Sequence, residues 1–387
     1  MPVLFTPEEK EIFDKARAFG IDYINPRAAK WEEDRVLPKE ALEEVGKNGF
    51  FGIGCSKEYG GQGHSWYETA LTYEGLAHGD GGFAFFVQLH NTLSMGLEKG
   101  YDELNNNVRS LIPDFVTGKK LLGFAFTDDF GGSDPFQTRA YAVKKDDGYH
   151  LFGTKSWVSN SLNADYFIVI MHLKEGDDNV GMIMFLVPKG TPGFIIGDDI
   201  RRVGGNVMSC GRIEFNDAVI TDDFLLAEDG YSRALEGINI ARVYVPAVAV
   251  GVAQRALDIT SKYLDEREAF GSPLLENQAI QFELAALSAK LEAARWLMRR
   301  AATVMDTGEP LSVLASRTKY FVPNTALEIT SRCAHLMGAI GLEWNCEISR
   351  CLNAARSFKM VDGSTEVQQI VISRAIQKHA KTGTIQR

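Results

Sequence analysis

The chain has 387 residues, enough for two or three domains with large buried cores, and its 45% hydrophobic and 24% charged content is that of a soluble globular protein. A formal net charge of −10 without a long basic stretch excludes nucleic acid and anionic membrane as partners, and leaves a diffusible organic substrate or another protein. No secretory signal is visible in residues 1–10, and the longest apolar run, 243–253, falls short of the roughly 20 residues that cross a bilayer.

Residues 1–118 read as helical. Thr6-Pro7-Glu8-Glu9 is an N-cap with proline at the first helical position, and Ile12, Phe13, Ala16 and Phe19 follow at helical spacing. The cluster Tyr59-Gly60-Gly61-Gln62-Gly63 lacks the spacing of a phosphate loop and is read as a turn between helices. Residues 82–95 are apolar apart from Gln88-Leu89-His90-Asn91, which either line a pocket or belong to a buried helix with satisfied polar groups.

Over residues 119–231 the period becomes that of strands. Segments 140–143 and 149–152 form a hairpin turning at Asp147-Gly148, and 166–171, 182–187 and 212–215 add strands of an antiparallel domain. Strands and helices do not alternate, which argues against a nucleotide-binding Rossmann unit. Residues 232–387 are helical again. Ile280, Leu284, Leu287, Leu291, Ala294, Met298 and Ala301 form the stripe of a long bundle helix, Pro310 separates it from a helix over 311–337, and Gly338-Ala339-Ile340-Gly341 ends that one. Cys55, Cys210, Cys333, Cys346 and Cys351 make neither a metal pattern nor an even disulfide set, and the seven histidines have no ligand spacing, so buried thiols in a reducing cytoplasm and no metal are expected.

Two stretches carry chemistry. The apolar run 121–126 ends in Thr127-Asp128-Asp129-Phe130-Gly131-Gly132-Ser133-Asp134, where a sharp turn offers N–H groups to an anionic, planar ligand. The run 154–158 ends in Trp157-Val158-Ser159, placing a hydroxyl beside a large ring. A glycine-rich loop joining two strands is the plainer reading of either segment alone.

Taken with Arg267-Glu268-Ala269-Phe270-Gly271, Gln278, the turn Gly338 to Gly341 and Asp362-Gly363-Ser364, these motifs resemble, in order and over essentially the whole chain, those of the acyl-CoA dehydrogenase family. The resemblance implies an α+β fold with an N-terminal all-α domain (1–118), a central antiparallel β-barrel-like domain (119–231) and a C-terminal four-helix bundle (232–387), usually assembled as a homotetramer. It implies FAD between β-domain and bundle, with Thr127 and Ser159 on its polar edge and Phe124, Phe126 and Trp157 packed around it. Ser133 then lies at the FAD phosphates or the CoA arm. Arg267, Phe270, Gln278, His335, Gly338 and Gly341 face the adenosine and pyrophosphate of a neighbouring subunit's FAD, and Ser364 and Glu366 complete the cofactor set. Asn91, Asn239, Arg242, Val361 and Gly363 are expected around the acyl-CoA.

Desaturating an acyl thioester between Cα and Cβ needs a base at Cα and a hydride acceptor at Cβ. The resemblance makes Asp362 the base, with its own main-chain N–H among the donors to the thioester oxygen. An N-cap is the competing role for Asp362, with Ser364 as the other candidate cap. The family mostly has glutamate at the Asp362 position and often an aromatic at that of Val361. The shorter acid and smaller neighbour point to an α-branched or alicyclic acyl group, such as a cyclohexane-carboxyl thioester. Ala241 rules out the base position that some branched-chain members use. A flavin oxidase or monooxygenase of the same fold acting on a non-CoA substrate, an enoyl-CoA reductase, and a non-catalytic scaffold are the other readings. For the dehydrogenase, electron-transfer flavoprotein is the expected electron acceptor.

Overall fold

The computed structural model describes residues 5–383. The first helices are α1 (Pro7–Phe19), α2 (Asn25–Asp34), α3 (Lys39–Lys47), α4 (Trp66–Leu76), α5 (Gly81–Lys99) and α6 (Asn106–Val116). Thr6 and Glu9 close a reciprocal capping box at the start of α1, satisfying two of the N–H groups that a helix leaves orphaned. The glycine cluster at 60–63 turns the chain into α4, as its composition predicts.

The strands are β1 (Leu122–Ala125), β2 (Tyr141–Lys145), β3 (Gly148–Ser159), β4 (Tyr166–Glu175), β5 (Asp178–Pro188), β6 (Phe194–Asp199), β7 (Cys210–Ile220) and β8 (Leu225–Ala227). The sheet is not purely antiparallel, contrary to the sequence expectation. β1 and β2 lie end to end between β3 and β4, each antiparallel to β3 and parallel to β4. Hairpin signals register only sequential neighbours, whereas these parallel pairs close over distances that no local motif reports. Lys145 pairs with Gly148, so the tight turn is Asp146-Asp147, one residue earlier than expected.

Alternation along β4 and β5 divides the core. Phe167, Val169, Ile183 and Phe185 point into the sheet's own core, while Ile168, Ile170, Met182 and Met184 join the core of the helices. That second face is where the site forms.

The remaining elements are α7 (Gly230–Glu266), a small hairpin of β9 (Glu268–Ala269) and β10 (Ser272–Pro273), then α8 (Gln278–Thr307), α9 (Ser312–Leu336), α10 (Glu347–Phe358) and α11 (Thr365–Thr382). By length and composition α7 is apolar enough to cross a membrane, a longer signal than the run at 243–253 suggested. Its apolar window is 72% buried inside the protein, as befits a helix surrounded by α4, α5, α8, α9 and α10. From Leu287 to Ala301 the stripe of α8 is buried, while Ile280 and Leu284 are only partly covered. Cys55, Cys210, Cys333 and Cys351 are buried free thiols and Cys346 is partly exposed.

Candidate active site

A cavity of about 300 Å³ opens between α5, α7, the helix-facing side of β4 and β5, and the turn before α11. Its walls are mostly apolar, with Leu89 and Leu93 from α5, Ile168 and Met184 from the sheet, Ile240 from α7, and Phe124 at the end of β1. Against this lining stand the polar residues Gln88, Thr92, Asn239 and Asp362, with the charged Lys99, Arg233 and Glu236 farther along the wall.

Asp362 sits in the turn between α10 and α11 with φ of 53°, followed by Gly363 at 92°, so two consecutive residues occupy the left-handed region. A Cβ on Gly363 would fall 2.7 Å from Gln368 Nε2, which leaves glycine as the residue that fits. Three helices grip the main chain here. Arg242 of α7 donates from Nε to the Asp362 carbonyl at 3.3 Å and from Nη1 to Asn239 Oδ1 at 2.9 Å. Gln368 of α11 donates to the Gly363 carbonyl at 2.9 Å. Lys319 of α9 donates to the Phe358 carbonyl at 2.7 Å and reaches that of Gly363 at 3.4 Å. Burial pushes the Asp362 carboxyl above the ordinary aspartate range, and the charges of Lys319 and Arg242 oppose that rise. Asp362 is not the cap of α11, because Ser364 accepts from Val367 N at 3.4 Å. Glu366 is exposed in the first turn, its carboxyl held below the usual range by a main-chain hydrogen bond and by Ser364.

The loop after β1 is built by its acids. Asp128 accepts from the N–H groups of Phe130 and Gly131, at 2.9 and 2.8 Å, and from that of Arg139. Those two N–H groups are therefore occupied within the loop, contrary to the expectation that the turn presents them outward. Asp129 ties the loop to the sheet through Ser156 Oγ at 2.7 Å and Arg212 at 2.9 Å. Lys155, fully buried, donates to the Phe126 carbonyl at 2.6 Å, and burial brings its pKa down to about 7. An irregularity in the β3–β7 pairing between Lys155 and Val158, with Trp157 at φ 59°, turns the Trp157 ring outward, where it is 55% exposed. Ser159 pairs with Phe124 across the β1–β3 ladder, and the rings of Phe124 and Phe126 meet edge to face at 6.3 Å. Among the described residues the hydroxyls of Thr127 and Ser159 have no protein partner.

The descriptions of three matching family models tile the chain: the acyl-CoA dehydrogenase N-terminal domain over residues 6–119, the middle domain over 123–218 and the C-terminal domain over 228–377. The chain belongs to the acyl-CoA dehydrogenase family. It is 30% identical to a probable acyl-CoA dehydrogenase of Mycobacterium tuberculosis over 96% of both chains. A solved chain described as an electron transferring flavoprotein of Acidaminococcus fermentans superposes with a TM-score of 0.91 at 28% identity, covering 97% of this chain and 99% of that one. A glutaryl-CoA dehydrogenase from Mycobacterium smegmatis in complex with FADH2 gives 0.89 at 26%, covering 99% and 97%.

In this acyl-CoA dehydrogenase the residues singled out from sequence fall into separate places. Phe124, Asn239 and Asp362 share the cavity wall, and Arg242 and Gly363 stand directly behind Asp362. Phe126 and Val361 are partly buried against the helical core. Asn91 does not face the cavity. Its side chain is fully buried, accepting from Gly52 N at 2.8 Å and donating to the Phe50 carbonyl at 2.9 Å, so it braces the turn before the glycine cluster. In the same polar run only Gln88 and Leu89 reach the cavity, while His90 is held between the Phe115 carbonyl and Leu122 N. Ser133 is exposed in the loop. Arg267, Phe270, Gln278, His335 and Gly338 are exposed and Gly341 partly so, along the end of α7, the β9–β10 hairpin, the start of α8 and the end of α9. None of these last residues lines the cavity.

Sequence reasoning missed Lys155, Lys319 and Gln368, whereas Gln88 was read as one of two possibilities, a pocket-lining residue, and does line the cavity. Lys319 left a readable signal. It falls on the stripe Ala315, Lys319, Val322, Ala326 of an otherwise apolar helix face, and a lysine there demands internal acceptors.

Proposed function

We propose that the cavity receives the acyl group of a CoA thioester and that Asp362 removes its α-proton. The observation that carries this is the Asp362 carboxyl on a mostly apolar wall, in a turn held from behind by Arg242 and Lys319, with burial raising its pKa and those two cations opposing the rise. FAD is the cofactor, and when bound it supplies the acceptor for the β-hydride. The residues present fit a flavin. An outward-turned tryptophan, two phenylalanines and two unpartnered hydroxyls at adjacent strand ends are a surface for a planar ring with a polar edge. Thr127, Ser159, Phe124, Phe126 and Trp157 would hold the ring. The exposed set from Arg267 to Gly341, with Ser133, Ser364 and Glu366, is left for the cofactor's charged portion across a subunit boundary.

The chain's own contribution to the reaction is to orient and exclude. The apolar wall keeps water from the acyl group, and the grip on residues 358–363 fixes the direction of the carboxyl. The Asp362 N–H, in a turn whose carbonyls are already bonded, is the candidate donor to the thioester oxygen as charge develops there. Aspartate is about 1.5 Å shorter than glutamate, and Val361 leaves room beside it. Both favour an acyl group that brings its α-hydrogen closer, namely an α-branched or alicyclic one such as cyclohexane-1-carboxyl-CoA. Exposed apolar side chains on the bundle, among them Phe270, Leu342 and Trp344, support assembly as a homotetramer. Electron-transfer flavoprotein is the proposed acceptor, and the free thiols support a cytoplasmic setting.

The test is anaerobic. The purified yellow protein is mixed with straight, branched and alicyclic acyl-CoAs and flavin bleaching is followed. Bleaching by the branched or alicyclic members, abolished in Asp362→Asn with flavin retained, is expected. Undiminished turnover in Asp362→Asn would overturn the assignment of the base.

A further inference from the structure

Lys319 is only 1% exposed and lies on the α9 face that packs against the 358–363 turn. Its ammonium bonds to the carbonyls of Phe358 and Gly363, the first and last residues of that turn. Asp362, which the turn carries, holds a left-handed backbone that non-glycine residues adopt at a cost, so the surroundings must impose it. Arg242 and Gln368 each hold one carbonyl of the turn, whereas Lys319 spans it.

We propose that Lys319 is a positioning residue for the dehydrogenation, clamping both ends of the turn so that Asp362 faces the cavity and setting a positive charge behind it. The proposal rests on Asp362 being the base. A buried ammonium is costly unless it meets acceptors and an opposing charge, and here the two carbonyls and the Asp362 carboxylate supply both. The groups around Asp362 leave few substitutes for that charge. From α7 there are Arg242, with Tyr231 near it, and Arg233 and Glu236 farther along the cavity wall. α5 gives neutral Gln88 and Thr92, with Lys99 at its end, and α11 gives neutral Gln368. Among the described residues, Lys319 and Arg242 are the charges that act on the Asp362 carboxyl, each favouring its ionised form against the effect of burial. Burial lowers Lys319 to about 8, so at neutral pH it is still protonated in the main.

The experiment compares Lys319→Met, Lys319→Gln and Lys319→Arg holoenzymes with Asp362→Asn. For each, kcat, KM and the pH profile are measured, and Asp362 is titrated by 13C NMR in protein labelled at the aspartate carboxyl carbons, its resonance assigned by its loss in Asp362→Asn. Lys319→Met is expected to lower kcat at neutral pH about tenfold or more with KM within about twofold, and to move the Asp362 midpoint and the acid limb of the profile up by about one unit. Lys319→Arg is expected to recover most of both. Lys319→Gln keeps a donor without the charge, so it decides the ionisation role even where the methionine variant fails to fold, and should still show the raised midpoint. Unchanged midpoints and profiles in Lys319→Gln, or kcat within about twofold of the parent in Lys319→Met, would overturn the proposal. An active Asp362→Asn would instead remove the base assignment itself.

Discussion

Arg242 and Asp362, 120 residues apart in sequence, are joined main chain to side chain: the guanidinium Nε of one donates to the carbonyl of the other at 3.3 Å. The charge therefore sits behind the carboxyl-bearing residue, and the carboxyl itself is left for the cavity. Arg242→Gln removes that charge and a buried donor. The expected result is an acid limb of the pH–rate profile moved to higher pH and a stability loss of about 1–3 kcal/mol, read by denaturant unfolding. A profile identical to the parent's would show that Arg242 plays no electrostatic part.

Asp362→Glu pushes the carboxyl about 1.5 Å farther into the cavity. Turnover with a cyclohexane-carboxyl thioester should fall by roughly tenfold or more, while straight-chain acyl-CoAs lose less or gain. Steady-state kinetics on the two classes decides this, and an unchanged preference would separate substrate shape from the length of the acid.

Trp157 is turned outward by the irregular pairing of β3, with more than half its surface free. Trp157→Ala is expected to weaken FAD retention by about tenfold, the equivalent of roughly 1.4 kcal/mol, measured by equilibrium dialysis and visible absorbance. Equal affinity would take Trp157 out of the cofactor surface.

Glu74 of α4 is 1% exposed at its side chain and accepts from Arg295 Nε at 2.8 Å and Arg299 Nη2 at 3.2 Å, both on α8. This joins the N-terminal helices to the bundle. Glu74→Gln leaves buried Arg299 without its counter-charge and Arg295 with only the half-exposed Glu292, and should cost about 3–5 kcal/mol, seen as a lower denaturant midpoint. A change below about 1 kcal/mol would mean that the arginines relax to solvent.

His90 is buried, with Nε2 against the Phe115 carbonyl at 2.8 Å and Nδ1 accepting from Leu122 N at 3.3 Å. Only a neutral ring can accept at Nδ1, and burial lowers its pKa to about 4. The unfolded chain takes up this proton from about pH 6.5 downward and the folded one does not, so stability present above 6.5 is lost as pH falls toward 4. The expected loss reaches about 3 kcal/mol at the lower end of that window, and unfolding midpoints between pH 7 and 4 check it. In His90→Gln that part of the slope should vanish.

Local signals carry over well where the physics is local. The capping box of Thr6 and Glu9, the glycine turn at 60–63, the stripe of α8 from Leu287 onward and the cap at Ser364 depend on residues within a turn or two of one another, and composition and spacing alone specify them. The ordered motifs from Thr127 to Ser364 likewise identified the family from sequence. What tertiary structure decided is whatever rests on contacts between distant segments. The parallel pairing of β1 and β2 with β4, the bracing role of Asn91, the use of the 130–131 N–H groups by Asp128, and the hold of Lys319 and Gln368 on the Asp362 turn all depend on which backbone groups meet in space. A buried polar side chain must find a partner, and sequence shows the need, as at Lys319, while only the folded chain shows which carbonyl answers it.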